Sequence, residues 1–368
     1  MPDEPTLGAG TDPRSAVPAP AAASPAPSWS APRRLLPVGV LVVVVLLIAL
    51  GALALGRYSV PLEQVCRILA GRLVGLAPTW TESQERVVLL VRLPRVLLAM
   101  LVGAGLALSG AALQAVFRNP LVSAQVLGMS SGASLGGALA LLLGVGSVLL
   151  VGGTFAFGLA SAVLLYLLTR GRSQSGVLVI VLAGVVIGAF FSALVSLITY
   201  VADPYSQLPA IVFWLLGSLA TATYGKVLTA VVPIALGVAV VLALRWRINV
   251  LSLGDEDAAA LGLRPERLRW LLLAAVAAIV AGAVAVSGVI GWVGLVIPHL
   301  GRMWVGPDHR VLLPVTLLMG AGYLTVIDTV SRILTAGEIP LGVLTAVIGA
   351  PVFFVLLRRN GNQAWSDA

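Results

Sequence analysis

The sequence predicts an all-α protein, a polytopic membrane helix bundle of about ten transmembrane helices. A short helix at the outer edge and short helices in one cytoplasmic loop complete the prediction. Hydrophobic residues make up 59% of the chain, the mean hydropathy is +1.04, and only 10% of residues are charged. Soluble domains carry about 25% charged residues. The chain is therefore expected to be solvated largely by lipid.

The net charge of +8 does not indicate nucleic-acid binding, because the arginines stand as ones and twos between apolar runs. No nucleic acid is expected as a partner, whereas membrane lipid is. Cys66 is the only cysteine, which excludes an intramolecular disulfide.

The first part of the chain reads as a tail followed by a retained helix. Residues 1–32 are rich in Pro, Ala and Ser without a periodic apolar face, which predicts a disordered cytoplasmic tail. The next apolar run, 35–55, contains "ALA" at 52–54, which resembles a signal-peptide cleavage site. That run is longer than the usual 7–15-residue signal core, so a retained first helix is favoured. The transmembrane domain is predicted over 33–359, with 360–368 as a short cytoplasmic tail.

Apolar runs near the roughly 20 residues that a membrane span needs recur along the chain. Residues 205–220 are too short and punctuated to span, so they predict a short helix lying in, or re-entering, the membrane edge. The eighth span is short, and the glycine-rich stretch 288–298 predicts a bend there. The predicted spans are 35–55, 93–117, 121–143, 148–169, 177–201, 226–244, 269–288, 289–304, 311–334 and 340–357.

The distribution of positive charge predicts the orientation. With the N-terminus inside, 15 of the 23 Lys and Arg residues fall in inner segments, as the positive-inside rule requires. Both termini are then cytoplasmic. Most of the remaining positive charges crowd into residues 57–95, an exception that needs its own explanation.

One polar island, "LSLGDEDAAALGLRPERLRW" at 251–270, interrupts the apolar sequence on the inner side. Three acids after Gly254 suit a helix N-terminus, Gly262 suits the position just after a helix end, and Pro265 suits the first turn of a second helix. The pattern predicts a helix of about seven residues, a tight turn and a second helix that enters the seventh span. An ordinary solvated loop is the alternative, and a docking element is favoured.

Several segments together resemble the FecCD-type permeases, the membrane subunits of ATP-binding-cassette importers for iron–siderophores, haem and vitamin B12. The resemblance covers roughly residues 86–359 in colinear order. The segments are "RLPRVLLAMLVGAGLALSGAALQAVFRNPLVSAQVLGMSSGASLG" (92–136), "LAGVVIGAFFSALVSLITYVADP" (182–204), "FWLLGSLA" (213–220), "LSLGDEDAAALGL" (251–263), "GWVGLVIPHLGRMWVGPDHRVLLP" (291–314), "DTVSR" (328–332) and "IPLGVLTAVIGAPVFFVLLRR" (339–359).

The resemblance implies a multi-pass protein of the cytoplasmic membrane, paired with a second permease copy or a close paralogue around a central path. It also implies two cytoplasmic ATPase subunits and an extracytoplasmic substrate-binding protein or lipoprotein. The chain lacks a Walker A motif: "ATYGKV" at 222–227 has Val227 where Ser or Thr should stand. It is therefore not expected to be an enzyme or to bind a cofactor, and ATP and Mg would be used by the separate ATPase.

The resemblance assigns three groups of residues. The coupling segment that meets the ATPase would comprise Ser252, Gly254, Asp255, Glu256, Leu261, Gly262 and Leu263. Glutamates of the binding protein would dock against Arg92, Arg95 and Arg332. Alternatively, Arg92 and Arg95 anchor a helix end at the lipid headgroups and Arg332 pairs with Asp328. The inner gate and path would include Ser173, Gln174, Ser175, Asn119 and Pro120, although the first three also suit a plain loop.

The cargo is expected to cross already wrapped in an organic chelator or macrocycle. Ferric ion is a hard cation that prefers oxygen ligands, and the predicted path shows no ladder of carboxylates, thiols or imidazoles and no metal site. A ferric siderophore is the first candidate for the family, with haem and a corrinoid behind it.

Two other functional classes fit the sequence less well. An intramembrane protease would need paired catalytic groups, yet Asp328 is the only acid well inside a span, and His299 and His309 sit near the inner interface. A proton-coupled secondary transporter could use Asp328 as a relay. However, Arg332 lies four residues later on the same helical face, which favours mutual pairing.

Overall fold

The computed structural model describes residues 31–74, 79–170, 177–335 and 337–364, and the regular structure in these ranges is entirely helical. A π-helical segment, Val87–Arg92, joins α3 to α4. The α-helices are α1 (Ala31–Ala54), α2 (Leu62–Val74), α3 (Glu82–Arg86), α4 (Leu93–Val116), α5 (Met129–Leu142), α6 (Ser147–Thr169), α7 (Val177–Val201), α8 (Gln207–Leu215), α9 (Tyr224–Ala243), α10 (Arg245–Leu251), α11 (Asp255–Ala260), α12 (Pro265–Ser287), α13 (Val293–Val305), α14 (His309–Leu334) and α15 (Leu341–Ala364).

The described helices confirm the predicted all-α membrane bundle. Seven of them are long and apolar enough to cross a membrane, and three shorter apolar helices, α5, α13 and the first part of α15, correspond to the remaining predicted spans. The third span was predicted to begin at residue 121, but α5 begins at Met129. Arg118 and Gly128 have φ of 48° and 79° in the intervening stretch, and such left-handed residues cannot continue a helix.

The short elements follow the sequence closely. The predicted edge helix at 205–220 is α8, of nine residues. The chain bends before α13, where Gly288 and Trp292 have φ of 67° and 66°. Helices α2, α3 and α10 were not predicted from the sequence. Helix α2 carries part of the charge crowded into 57–95, since Arg67 pairs there with Glu63 at 2.6 Å.

Helix α4 is the centre of the bundle, packed against α14, α13, α12 and α9. Most of its side chains are buried. A Cβ at Gly103 or at Gly320 would overlap the carbonyl oxygen of the other residue, so α4 and α14 cross with backbones in contact. Close crossing at small residues is how membrane helices gain packing energy.

Polar side chains concentrate at the two ends of the bundle. We call the end that holds Arg92, Arg95 and Arg332 the arginine end. The opposite end, formed by residues 245–264 and 305–310, is the coupling end.

Candidate functional sites at the two ends of the bundle

Arg95 lies at the centre of the arginine end and holds two acids from α14 and the loop after it. Its Nε donates to the Asp328 carboxylate at 2.9 and 3.1 Å. Its two Nη atoms reach the Glu338 carboxylate at 3.2 and 2.9 Å. Arg95 is only 5% exposed and Asp328 1% exposed. Because the planar guanidinium has donors on several edges, one arginine can hold both acids.

Arg332 completes the pairing of Asp328 from the other side. Its Nε lies 3.2 Å from Asp328 Oδ2, near enough for an ion pair although not aligned for a hydrogen bond. Its Nη2 donates to Thr329 Oγ1 at 3.1 Å and to the Ala52 carbonyl at 3.3 Å. The predicted pairing of Arg332 with Asp328 is therefore present, and Asp328 lies between two arginines rather than alone in the apolar core.

Arg92 has a different set of contacts. Its Nη1 donates to the carbonyls of Leu53 and Ala54, at 2.7 and 2.9 Å, and its Nη2 to the Tyr58 carbonyl. The carbonyls that end a helix have no partner within that helix, so Arg92 closes the end of α1. This contact with another helix differs from anchoring at the lipid headgroups, the alternative to docking that the sequence left open, because Arg92 is buried.

The structure thus brings the three predicted docking arginines to one end, but all are buried, with exposures of 4, 5 and 7% for Arg92, Arg95 and Arg332. Docking through them stays a prediction. Sequence reasoning missed Glu338, which covers Arg95 and whose backbone has φ of 48°, unusual for a residue other than glycine. An acid isolated between the ninth and tenth spans was the signal that could have identified it.

The coupling end confirms the predicted helix–turn–helix. Helix α11 has six residues. The Leu263 N–H donates to the Ala258 carbonyl and the Gly262 N–H to the Ala259 carbonyl, at 3.0 and 2.9 Å, the pairing of a Schellman helix end. Gly262 has φ of 81°. The predicted stop at Gly262 is therefore correct, and α12 begins at Pro265 as expected.

The coupling residues divide into exposed and internally bound ones. Leu261 is 63% exposed and Glu256 is also exposed, whereas Leu263 packs against the core. Asp255 receives two hydrogen bonds of 2.8 Å from Arg269 Nη2. Among the residues assigned to coupling, Leu261 and Glu256 therefore offer exposed side chains to a partner, while Asp255 and Leu263 fasten α11 to the bundle.

Gly254 and Ser252 shape the start of α11. Gly254 has φ of 136° and precedes the helix, where a Cβ would lie 3.4 Å from Arg118 Nη1. The Ser252 hydroxyl donates to the Asn249 carbonyl at 2.7 Å. Both residues therefore set the angle between α10 and α11.

Asn249, which sequence reasoning missed, ties α10 to the start of α14. Its Nδ2 donates to Asp308 at 2.7 Å, and its Oδ1 accepts from the His309 N–H at 2.7 Å. Burial raises the pKa of the Asp308 carboxyl, but hydrogen bonds from Arg310 and Asn249 outweigh burial and bring the pKa to about 2. The Asp308 carboxylate therefore stays ionised at neutral pH. Helix α10, which leads into α11, is thereby held against the start of α14.

Part of the predicted gate lies outside the described residues, namely Ser173, Gln174 and Ser175. Asn119 lies in the irregular stretch between α4 and α5, where its Oδ1 accepts from the Leu121 N–H at 2.8 Å. Pro120 beside it is exposed. Their assignment to the path stays a prediction. Within the described part of the chain, no group of three or more His, Cys, Asp or Glu side chains could hold a metal.

Comparisons with known proteins identify the family to which this architecture belongs. The FecCD transport family profile matches residues 41–359. The molybdate import system permease protein MolB of Haemophilus influenzae is 46% identical over 308 residues, covering 83% of this chain and 91% of that protein. A probable iron chelatin transport system permease of Helicobacter pylori is 44% identical, covering 76% of this chain and 84% of that protein.

A solved structure agrees with both relatives. An inward-facing conformation of a transporter of the metal-chelate ABC type superposes with a TM-score of 0.79 at 43% identity, covering 88% of this chain and 98% of that one. The family match over most of the chain, the two relatives and the shared fold lead to one assignment. The chain belongs to the FecCD transport family and is the membrane permease of an ATP-binding-cassette importer.

Proposed function

We propose that this permease imports a chelated iron complex, a ferric siderophore first, delivered by an extracytoplasmic binding protein and driven by two cytoplasmic ATPase subunits. The observation that carries the proposal is the separation of the polar residues into two fixed networks at opposite ends of an apolar bundle. The arginine end would face outward and receive the binding protein. The coupling end would face the cytoplasm and receive the ATPase.

The coupling end suits the transmission of a displacement from the ATPase to the helix bundle. Helix α11 ends in a fixed Schellman turn, Asp255 fastens it to Arg269 at 2.8 Å, and Asn249 fastens its base to α14. Exposed Leu261 can enter an apolar cleft, and Glu256 can meet a basic group of the ATPase. A rigidly held helix passes on a displacement that a flexible loop would absorb.

The arginine end suits a partner that presents glutamates. Arg95 already binds one carboxylate bidentately, that of Glu338, and the Glu338 side chain is 28% exposed. A glutamate of the binding protein could replace Glu338 on the same two Nη atoms, because arginine accepts carboxylates in a fixed fork. Docking at Arg95 therefore requires Glu338 to leave.

Glu338→Ala is a sharper test of docking than Arg95→Glu, because Arg95 also holds the buried Asp328. Removing the competing carboxylate should tighten binding of the partner by about tenfold or more, because docking then no longer breaks the Arg95–Glu338 ion pair and about 1.4 kcal/mol corresponds to tenfold in affinity. The measurement is a titration of the binding protein onto permease in nanodiscs at two salt concentrations. Glu82→Ala removes another exposed acid near the same end and serves as the control.

Unchanged affinity in Glu338→Ala, with no salt dependence in the wild type, would show that these arginines are internal anchors. Tighter binding in Glu82→Ala as well would indicate a general charge effect.

A second copy of the chain would complete the path. Helices α7 and α15 leave large apolar side chains exposed. Val186, Tyr200 and Phe354 are examples, at 67, 86 and 66% exposed. These faces suit contact with another permease around a shared axis, with residues 173–175 at the inner gate. A cross-link between cysteines placed at 174 in two copies should block transport, and full transport after cross-linking would remove the gate assignment.

The cargo is tested by reconstitution with the ATPase and the binding protein. ATP-dependent uptake of labelled ferric siderophore is expected, without uptake of unchelated iron. Haem and cobalamin serve as competing probes, because the family includes permeases named for haemin and for cobalamin. Uptake of free iron would contradict the proposal.

Molybdate is a second candidate, favoured by the 46% identity to the molybdate permease. Molybdate also carries its metal with a complete shell of oxygen ligands, so it needs no metal-binding side chains along the path. ATP-dependent uptake of molybdate but not of ferric siderophore would select it.

A further inference from the structure

A groove runs between α6 and α9 from the arginine end towards the middle of the bundle. Its upper part is a cavity of about 830 Å³ between the starts of α6 and α9, α8 and the end of α12. Its lower part, of about 460 Å³, lies between α6, α9 and α12. Both volumes fall in the range of ligand sites, about 300–1,000 Å³. The two parts share Val151, Gly152, Thr229 and Ala285 as lining residues, so the groove is continuous.

The upper part of the groove is positively charged. Lys226, the only lysine of the chain, is the only ionisable side chain among the described residues that line it. Its Nζ donates to Thr221 Oγ1 at 2.6 Å, and an ammonium group has three protons to donate. Two therefore remain for a ligand. The hydroxyls of Ser147, Ser218 and Thr223 line the same cavity.

Two helices also begin at this cavity. Ser147 starts α6, which has no side-chain cap, and Thr223 caps α9 through the Lys226 N–H. A helix N-terminus carries a partial positive charge. These termini reinforce the charge of Lys226, and the upper cavity therefore suits an oxyanion such as a phosphate group.

The lower part of the groove is apolar. Phe155, Val232, Pro233 and Leu236 line it, with small residues at its floor. A Cβ built on Gly152 meets nothing within 4 Å, which shows how open the groove is. Helices α6 and α9 are both long and apolar enough to cross the membrane, so the groove opens beside lipid chains.

The geometry points to a binding site for an anionic phospholipid, with its phosphate at Lys226 and one acyl chain between α6 and α9. A free oxyanion would fill only the upper cavity and leave the apolar part unoccupied, whereas a phospholipid matches both parts in the right order. In the orientation proposed above, this lipid comes from the outer leaflet. The site lies apart from the docking and coupling networks and does not depend on the cargo.

Lipid retention by the purified full-length chain tests the site. Phosphatidylglycerol should be retained about fivefold more than phosphatidylcholine in native mass spectrometry, as expected for one lysine acting on an anionic lipid. Lys226→Gln should abolish that preference, and Lys226→Arg should keep it. Gly152→Leu should lower retention of both lipids, because its side chain would occupy the groove.

A second measurement uses the single lysine. Phosphatidylglycerol should slow modification of Lys226 by an amine-reactive reagent, read by peptide mapping, and phosphatidylcholine should slow it less. Gly39→Leu is the matched control for Gly152→Leu, since Gly39 lies in α1 and a Cβ there also meets nothing within 4 Å. It should retain lipid as the wild type does.

Three results would overturn the proposal. Equal retention of phosphatidylglycerol by the wild type and Lys226→Gln would remove the head-group site. Undiminished retention by Gly152→Leu would remove the acyl-chain groove. Protection of Lys226 by inorganic phosphate or molybdate as strong as by the lipid would identify a free-anion site instead.

Discussion

Replacing Gly262 by valine tests whether the turn after α11 must keep its shape for ATP hydrolysis to drive transport. Gly262 has φ of 81°, and a Cβ there would meet nothing within 4 Å. The penalty is therefore conformational and not a clash. A left-handed conformation costs an L-residue about 1–2 kcal/mol, which lowers the ratio of folded to unfolded forms by a factor of about 5–30. The helix affected has only six residues, so this strain is large beside its own stability.

The assay is uptake and ATPase activity of the permease reconstituted with its ATPase and binding protein. Gly262→Val should insert into the membrane in normal amounts but lose most of the uptake and most of the substrate-stimulated ATPase activity. Gly262→Asn should keep both, because asparagine visits the left-handed region more readily. Gly306→Val is the matched control, since Gly306 lies at the same end with φ of 80° and open space around it.

Unchanged uptake and ATPase stimulation in Gly262→Val would refute the coupling role of this turn. An equal loss in Gly306→Val would show that any strained loop at the coupling end impairs the protein.

Four further substitutions test the networks at the two ends. Asp328→Asn leaves two buried arginines without their shared acid and should destabilise the permease by about 3–5 kcal/mol, measured as a lower melting temperature in detergent. Glu338→Gln changes a partly exposed acid and should lower the melting temperature less. The reverse order would contradict the pairing of Asp328 with the two arginines. Asn249→Ala should lower the free energy of unfolding by about 1–3 kcal/mol, because it leaves buried polar groups unpaired, and should speed deuterium exchange in α10 and α11. Unchanged exchange would show that the contact of Asn249 with the start of α14 is dispensable. Arg92→Lys replaces the guanidinium fork, which reaches three carbonyls, with a single ammonium group, so amide hydrogens at the end of α1 should exchange with deuterium faster. Equal protection in the variant and the wild type would rule out the anchoring role of Arg92.

The apolar runs and turn residues predicted most of the architecture. Every predicted span has a helix, and the polar island folds as expected because Gly262 and Pro265 act through local backbone geometry. The start of α5 at Met129 was missed, since the left-handed residues Arg118 and Gly128 interrupt an otherwise continuous apolar run. Helix α2 was missed because its charged, mixed composition lacks a strong apolar signal.

The sequence by itself determined that the chain is a membrane bundle of apolar helices and which residues carry charge. These follow from hydropathy and turn chemistry, which act over a few neighbouring residues. Only the tertiary structure decided what the charges do: Arg92 closes α1, Arg95 binds Asp328 and Glu338, and Asn249 ties α10 to α14. Arg95 and Glu338 are 243 residues apart in sequence and 2.9 Å apart in space. Such a contact exists only because the long helices α4 and α14 cross with their backbones touching, and no local pattern records which helices will cross.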